Sequence, residues 1–138
     1  MKRIKRLLYL SIVLVTLTFI SCSEIKTNDP KKTYKYWAGT IAPNDLKVLN
    51  GQYWESAHWT KEYIMFMKIK PNTEWWNEFI KQNHLSQNNV RWTIPNDAPA
   101  WFNPTENTIQ YRDNDIMNQS RYLCDTLTGI CYFYEIQL

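Results

Sequence analysis

The sequence predicts a small α+β fold in which an antiparallel sheet carries one main amphipathic helix on one face, together with a Pro-rich loop. Three observations predict this fold. Apolar residues alternate along 63–70, a helical stripe of aromatic residues follows at 74–80, and three strand-like runs end the chain, NTIQYRD, SRYLCD and ICYFYEIQ. Strands with short connections pair antiparallel, and an amphipathic helix buries its apolar stripe against such a sheet.

The run EYIMFMKIK has the period of two that is typical of a strand. One face is wholly apolar, whereas the other mixes apolar residues with lysine, so we expect this second face to be partly solvated. The apolar face consists of Tyr63, Met65, Met67 and Ile69, and the mixed face of Ile64, Phe66, Lys68 and Lys70.

The segment NTEWWNEFI predicts the main helix. Asn72 or Thr73 can cap its first turn, where Glu74 has the favourable sign for the helix dipole. Its apolar residues recur at the helical spacing, and they are Trp75, Trp76, Phe79 and Ile80.

Two other segments lack a clear period. Asn44 or Asp45 can begin a helix and Gly51 can end one, which predicts a short helix at 45–50. Three prolines fall within ten residues of the segment 86–104, so regular structure is disfavoured there. Because that segment also holds tryptophan, isoleucine and phenylalanine, we expect a fixed loop laid across the sheet.

The N-terminus has the pattern of an export signal. Four cations within residues 2–6 precede an uncharged apolar run from Leu7 to Ile20, and its 14 residues fall short of the about 20 that a membrane-spanning helix needs. The run ends in FISCSE, which resembles the lipobox of bacterial lipoproteins. The resemblance implies cleavage before Cys22 and a diacylglycerol thioether on its thiol. An ordinary secretory signal and an uncleaved anchor helix are the alternatives.

This resemblance leads to an expected domain organisation. Residues 1–21 form the signal peptide, 22–35 form a lipidated flexible tether, and 36–138 form a single small α+β domain. The tether is expected to be flexible because it is polar and charged, with little to bury. Ser23 replaces the aspartate of an inner-membrane retention signal, so we expect an outer-membrane lipoprotein, on either the periplasmic face or the cell surface.

Signal removal also changes the net charge. The whole chain has a formal charge of +3, but the signal contains four of its 16 Lys and Arg and none of its 13 Asp and Glu. The mature chain therefore has 12 cations against 13 anions. Nucleic-acid binding needs clustered basic residues, so this class of partner is excluded.

Cys124 and Cys131 flank the turn DTLTG between two strand-like runs. If Asp125 and Ile130 close a four-residue loop with Gly129 in the left-handed conformation, the two cysteines lie directly opposite each other. Facing residues of antiparallel strands are close enough for a disulfide, and exported proteins meet an oxidising compartment. The spacing fits neither a zinc knuckle nor a CxxC redox motif, and free packed thiols are the remaining alternative.

The sequence predicts no enzyme, no cofactor and no metal site. It contains neither of the catalytic motifs GxSxG and HExxH, and it has no glycine-rich loop that could bind phosphate. Of the two histidines, His84 is expected to end the helix. His58 lies between Trp54 and Trp59 and is the better functional candidate, although a packed, hydrogen-bonded role is the simpler interpretation.

Aromatic residues are the remaining candidates for binding, because Trp and Tyr dominate binding hot spots. With His58, the candidate binding residues are Trp54, Trp59, Trp92 and Trp101. The motifs PxWFxP and YxxDxxTGxxYxYE resemble small bacterial envelope proteins whose motifs have no assigned chemistry. We therefore predict a non-enzymatic, membrane-anchored envelope lipoprotein that binds a protein partner, as an inhibitor or immunity-type module. A carbohydrate-binding module with exposed Trp and Tyr is the alternative.

Overall fold

The computed structural model describes residues 23–115 and 117–138, which form one antiparallel sheet with two short helices. The helices are α1 (Pro30–Ala38) and α2 (Thr73–Gln82). The strands are β1 (Ile25–Thr27), β2 (Lys47–Glu55), β3 (Tyr63–Lys70), β4 (Ser86–Gln87), β5 (Thr108–Arg112), β6 (Arg121–Asp125) and β7 (Cys131–Gln137). Across the sheet they follow the order β1-β2-β3-β7-β6-β5-β4, so the last strand lies at the centre, beside β3.

The predicted α+β fold with one main amphipathic helix is wrong. Within the described residues the chain is mostly a seven-stranded antiparallel sheet, and both helices are short. The error arises in the first part of the folded chain, where the sequence predicted a flexible tether and a short helix. The structure has β1 and α1 in place of the former and β2 in place of the latter.

Helix α1 lies largely within the segment that was predicted as a tether at 22–35. At its start, the Asp29 carboxylate accepts a hydrogen bond from the Lys32 amide (2.8 Å), and Pro30 occupies the first turn. At its end, Gly39 adopts the left-handed conformation with φ 71°. Thr33 and Tyr34 are buried. The tether prediction therefore fails for residues 25–35, because a few buried side chains and two caps order a segment of polar composition.

Strand β2 replaces the predicted helix at 45–50. Its pairing with β3 is irregular between Val48 and Asn50, so a bulge interrupts the alternation that would have identified the strand. Gly51 is part of this strand and allows α1 to approach closely, because a Cβ atom at residue 51 would lie 2.6 Å from the Thr33 Cβ. The glycine that suggested a helix end thus serves helix–sheet packing.

The more local predictions agree with the structure. Strand β3 covers 63–70, and α2 begins after Asn72, whose side chain accepts a hydrogen bond from the Trp75 amide (2.7 Å). The three C-terminal strands are β5, β6 and β7, and 88–104 forms a loop without helix or strand.

The sheet has a buried core on each face. On one face, the helices cover Met65, Met67 and Phe133. On the other, the Pro-rich loop covers Phe66, chiefly with Phe102, which is 3% exposed. The mixed face of β3 is therefore more buried near Phe66 than the sequence predicted, because the loop excludes water from it.

Candidate functional site

The disulfide prediction is confirmed. Cys124 and Cys131 pair directly across β6 and β7, with their Cα atoms 4.1 Å apart, and they form a disulfide. The turn has the predicted form: the Gly129 amide donates to the Asp125 carbonyl (2.9 Å), and Gly129 has φ 68°. The disulfide staples the C-terminal hairpin.

Asp125 organises this hairpin turn. Its side chain is 2% exposed. One carboxylate oxygen accepts the Thr105 hydroxyl (2.6 Å), and the other accepts the amides of Leu127 (2.8 Å) and Thr128 (2.9 Å). These hydrogen bonds, led by that of Thr105, lower the pKa of Asp125. The aspartate is explained by the turn and needs no ligand.

The structure does not gather the candidate aromatic residues into one site. Trp92 and Trp101 belong to the Pro-rich loop, where they are half-buried and pack against Phe102. Trp54 is half-buried, and its indole nitrogen donates to the Glu24 carboxylate. These three rings therefore have structural contacts of their own.

His58 and Trp59 lie in the loop between β2 and β3, and both are exposed. Trp59 is 96% exposed, the most exposed of the large apolar residues that the structure describes. Neither residue lines the main cavity described next. The predicted lipidation site, Cys22, lies outside the described residues.

The main cavity lies on the helix side of the sheet and has a volume of about 660 Å³. Its residues come from both helices, from three central strands, from the segment between α2 and β4, and from the loop that joins β5 and β6. They are Tyr34, Trp37, Ala38, Tyr63, Trp75, Glu78, Phe79, Gln82, Asn83, Leu85, Asp113, Asn118, Tyr122 and Glu135.

Glu135 provides the cavity with a buried carboxylate. The residue is 8% exposed and belongs to the central strand β7. Tyr63 donates its hydroxyl to Oε2 (2.8 Å), and Tyr122 donates its hydroxyl to Oε1 (2.6 Å). A carboxylate can accept about four hydrogen bonds. Two tyrosines thus hold the group in place and leave acceptor capacity toward the cavity.

The two tyrosines act as hydrogen-bond donors because their protons are retained. Burial, followed by the adjacent Glu135 carboxylate, raises the pKa of both Tyr63 and Tyr122. Both hydroxyls therefore remain neutral donors at ordinary pH. The Glu135 carboxylate receives no positive charge from these two partners.

The cavity as a whole is acidic and aromatic. Among its lining residues in the described part of the chain, Glu78, Asp113 and Glu135 are acidic, and none is Lys, Arg or His. Trp37 and Trp75 contribute indole rings to its walls. Aromatic faces and carboxylates both attract cations, so this combination suits a positively charged group.

Sequence analysis missed this cavity, although one signal was present. Glu135 has the same parity along β7 as Cys131 and Phe133, which both pack in the core on the helix side. An acid at an inward position of a buried strand needs a partner, and this marks it as a functional candidate.

Within residues 23–115 and 117–138, no group of three or more His, Cys, Asp or Glu side chains is placed to hold a metal ion. Neither described helix is long and apolar enough to cross a membrane.

Comparison with known proteins identifies no relative. No protein-family model matches the chain, and neither the curated proteins nor the solved structures give a significant match.

Proposed function

We propose that this protein is a lipid-anchored envelope lipoprotein whose folded domain binds a protein partner, and that the acidic cavity receives a cationic side chain of that partner. One observation supports the proposal above the others. The buried Glu135 carboxylate faces a cavity of about 660 Å³ and is held by two neutral tyrosine hydroxyls, without a basic residue among the described lining.

A guanidinium group suits this cavity better than an ammonium group. Its planar donors can engage the free acceptor positions of Glu135 in pairs, while its faces stack against indole rings such as those of Trp37 and Trp75. A cation–π contact contributes about 0.5 to 2 kcal/mol, depending on desolvation. Arginine is also one of the residues that most often dominate protein interfaces. The proposed ligand is therefore an arginine side chain of an envelope or incoming protein.

The test uses the chain from residue 23, which contains every described element of the fold. A short arginine peptide and its citrulline analogue are titrated while tryptophan fluorescence is recorded, since Trp37 and Trp75 line the cavity. Citrulline keeps the shape of arginine and removes its charge. We expect the arginine peptide to bind and the citrulline peptide to bind much more weakly.

Glu135→Gln is the matched variant, because it removes the charge at nearly constant volume. Breaking one side of a buried, hydrogen-bonded charge pair costs about 2 kcal/mol or more, or about thirtyfold in Kd. Glu106→Gln changes an exposed glutamate that does not line the cavity and should leave the affinity unchanged. Equal binding of the arginine peptide to both variants contradicts the proposal.

Carbohydrate binding is the second candidate, and the composition of the same cavity favours it. The rings of Trp37 and Trp75 can stack on sugars, and the amides of Gln82, Asn83 and Asn118 can bond hydroxyl groups. Neutral oligosaccharides would then change the fluorescence, and the peptides would not.

The lipid anchor is tested separately. We expect metabolic labelling with palmitate to mark the wild-type protein and not the Cys22→Ala variant, which should remain unprocessed. The lipoprotein proposal is contradicted if the Cys22→Ala protein is still processed and is retained on the outer membrane to the same extent as the wild type.

A further inference from the structure

The start of β1 identifies one end of the sheet. Ile25 pairs with Glu55, Glu55 pairs with Tyr63, and Tyr63 pairs with Gln137. The β2–β3 loop and the residue after β7 therefore lie beside the start of β1. We call this the N-terminal end of the sheet.

The loop between β5 and β6 belongs to the same end. The amide of Ile136, near the end of β7, donates to the hydroxyl of Ser120, which precedes β6 (3.4 Å). Met117 of this loop and Leu138 line one small cavity of about 160 Å³, so the two side chains are neighbours. The β2–β3 loop, the β5–β6 loop and the residue after β7 thus lie at the same end of the sheet as the start of β1.

Few residues separate this end from the proposed lipid anchor. Ile25 is three residues after Cys22, and three extended residues span at most about 10 Å. A lipid headgroup layer is itself about 5 to 8 Å thick on each side of the bilayer. Because the predicted tether is replaced by β1, a lipid on Cys22 would hold the N-terminal end of the sheet against the headgroups.

The exposed side chains at this end are suited to that position. Trp59 is 96% exposed in the β2–β3 loop, Met117 is 85% exposed in the β5–β6 loop, and Leu138 is 80% exposed after β7. Tryptophan is enriched at membrane interfaces, where its ring meets both apolar chains and polar headgroups. Lys61 and Glu62 follow Trp59, so this loop carries both signs of charge and does not select an anionic lipid.

We propose that the N-terminal end of the sheet rests directly on the lipid surface, with Trp59, Met117 and Leu138 inserted at the headgroup level. This inference rests on the proposed lipid anchor at Cys22. It adds a fixed orientation, in which the N-terminal end of the sheet faces the membrane and the β6–β7 turn lies at the opposite end.

The test uses the full, processed protein in phosphatidylcholine vesicles whose acyl chains carry a nitroxide quencher. An environment-sensitive fluorophore is attached through Trp59→Cys, Leu138→Cys or the control Leu127→Cys. Leu127 is 77% exposed in the β6–β7 turn, at the opposite end of the sheet. We expect the label at 59 and the label at 138 to be quenched several-fold more strongly than the label at 127.

The outcomes separate this inference from the anchor on which it rests. Vesicle-bound protein with equal quenching at 59, 138 and 127 overturns the membrane contact and leaves the lipid anchor standing. If cells do not process the full-length protein at Cys22, so that no lipidated protein is obtained for the vesicles, the anchor is overturned together with the contact that rests on it. Because all three positions are exposed, altered folding does not explain a difference among them.

Discussion

The side chain of Thr33 occupies the space directly above Gly51, so that a Cβ atom at residue 51 would lie 2.6 Å from both Cβ and Oγ1 of Thr33. Thr33 is fully buried on α1, and Gly51 is buried within β2. The contact fixes how closely the first helix approaches the sheet. It therefore also fixes one side of the cavity, because α1 contributes Tyr34 and Trp37 to it.

Gly51→Ala should destabilise the protein by about 1 to 3 kcal/mol, since overpacking a close contact forces backbone or side-chain shifts. Urea unfolding followed by circular dichroism measures the change. Thr33→Gly removes Cβ, Oγ1 and Cγ2, the three atoms nearest to a Cβ at residue 51, and should lessen the effect of Gly51→Ala when the two are combined.

Gly39→Ala is the control for that prediction. Gly39 has φ 71° and open space around its missing Cβ, so its substitution costs only backbone strain. Its effect on the free energy of unfolding should add to that of Thr33→Gly. If Gly51→Ala and Thr33→Gly are also additive, the steric explanation is incorrect.

Elements with complete local signals were predictable from the sequence. Strand β3 has one wholly apolar face, α2 has a capping asparagine and an apolar stripe, and the β6–β7 turn has Asp125 and Gly129 at the required positions. Local signals also existed for α1, at Asp29 and Gly39, but the polar composition between them outweighed these signals.

The rest depends on contacts between distant parts of the chain. Strand β2 contains a bulge, and the requirement for glycine at residue 51 comes from the packing of Thr33 against it. The candidate site depends on Tyr63 and Glu135, which are 72 residues apart and meet because β7 inserts beside β3. No local pattern predicts that strand order. The one local signal for the site was Glu135, a glutamate at an inward position of a buried strand.

The disulfide should contribute about 2.5 kcal/mol to stability, from the chain entropy of its eight-residue loop. We expect this loss in the double variant Cys124→Ser and Cys131→Ser, and an equal loss when the wild type is unfolded in a reducing agent. The double variant should be insensitive to the reducing agent. A wild type whose unfolding midpoint does not respond to reduction would show that the bond is absent in solution.

Asp125 should make stability depend on acid pH. Its pKa is lowered in the folded state, chiefly by the Thr105 hydroxyl, so the carboxylate stabilises the fold above the pKa of the unfolded chain, about 4. That contribution is lost as the pH falls through the lower folded-state pKa. Asp125→Asn should therefore lower the unfolding midpoint at neutral pH and flatten its decline below about pH 4.

Asp97→Asn changes an exposed aspartate and is the control for this pH profile. It should leave the acid decline in stability close to that of the wild type. The role assigned to Asp125 is contradicted if the profile of Asp125→Asn is parallel to that of the wild type throughout this range.

Tyr63 and Tyr122 should make stability depend on alkaline pH, with the opposite sign. Burial and the neighbouring Glu135 raise their pKa, so the folded state retains protons that the unfolded chain loses above about pH 10. Their contribution is complete below that pH and is lost as the pH rises toward their folded-state pKa. We expect these tyrosines to ionise only as the protein unfolds, so that tyrosinate absorbance and circular dichroism change together in an alkaline titration.

Tyr122→Phe and Tyr36→Phe separate the buried tyrosines from the exposed ones in that titration. Tyr36 is 44% exposed, and its loss should reduce only the ionisation that precedes unfolding. Tyr122→Phe should reduce the tyrosinate absorbance that appears together with unfolding. It should also lower the free energy of unfolding by about 1.5 to 3 kcal/mol, because it removes a hydrogen bond to a charged group. If Tyr122→Phe instead reduces the ionisation that precedes unfolding, Tyr122 is accessible in the folded protein, and Glu135 is not held as the proposed site requires.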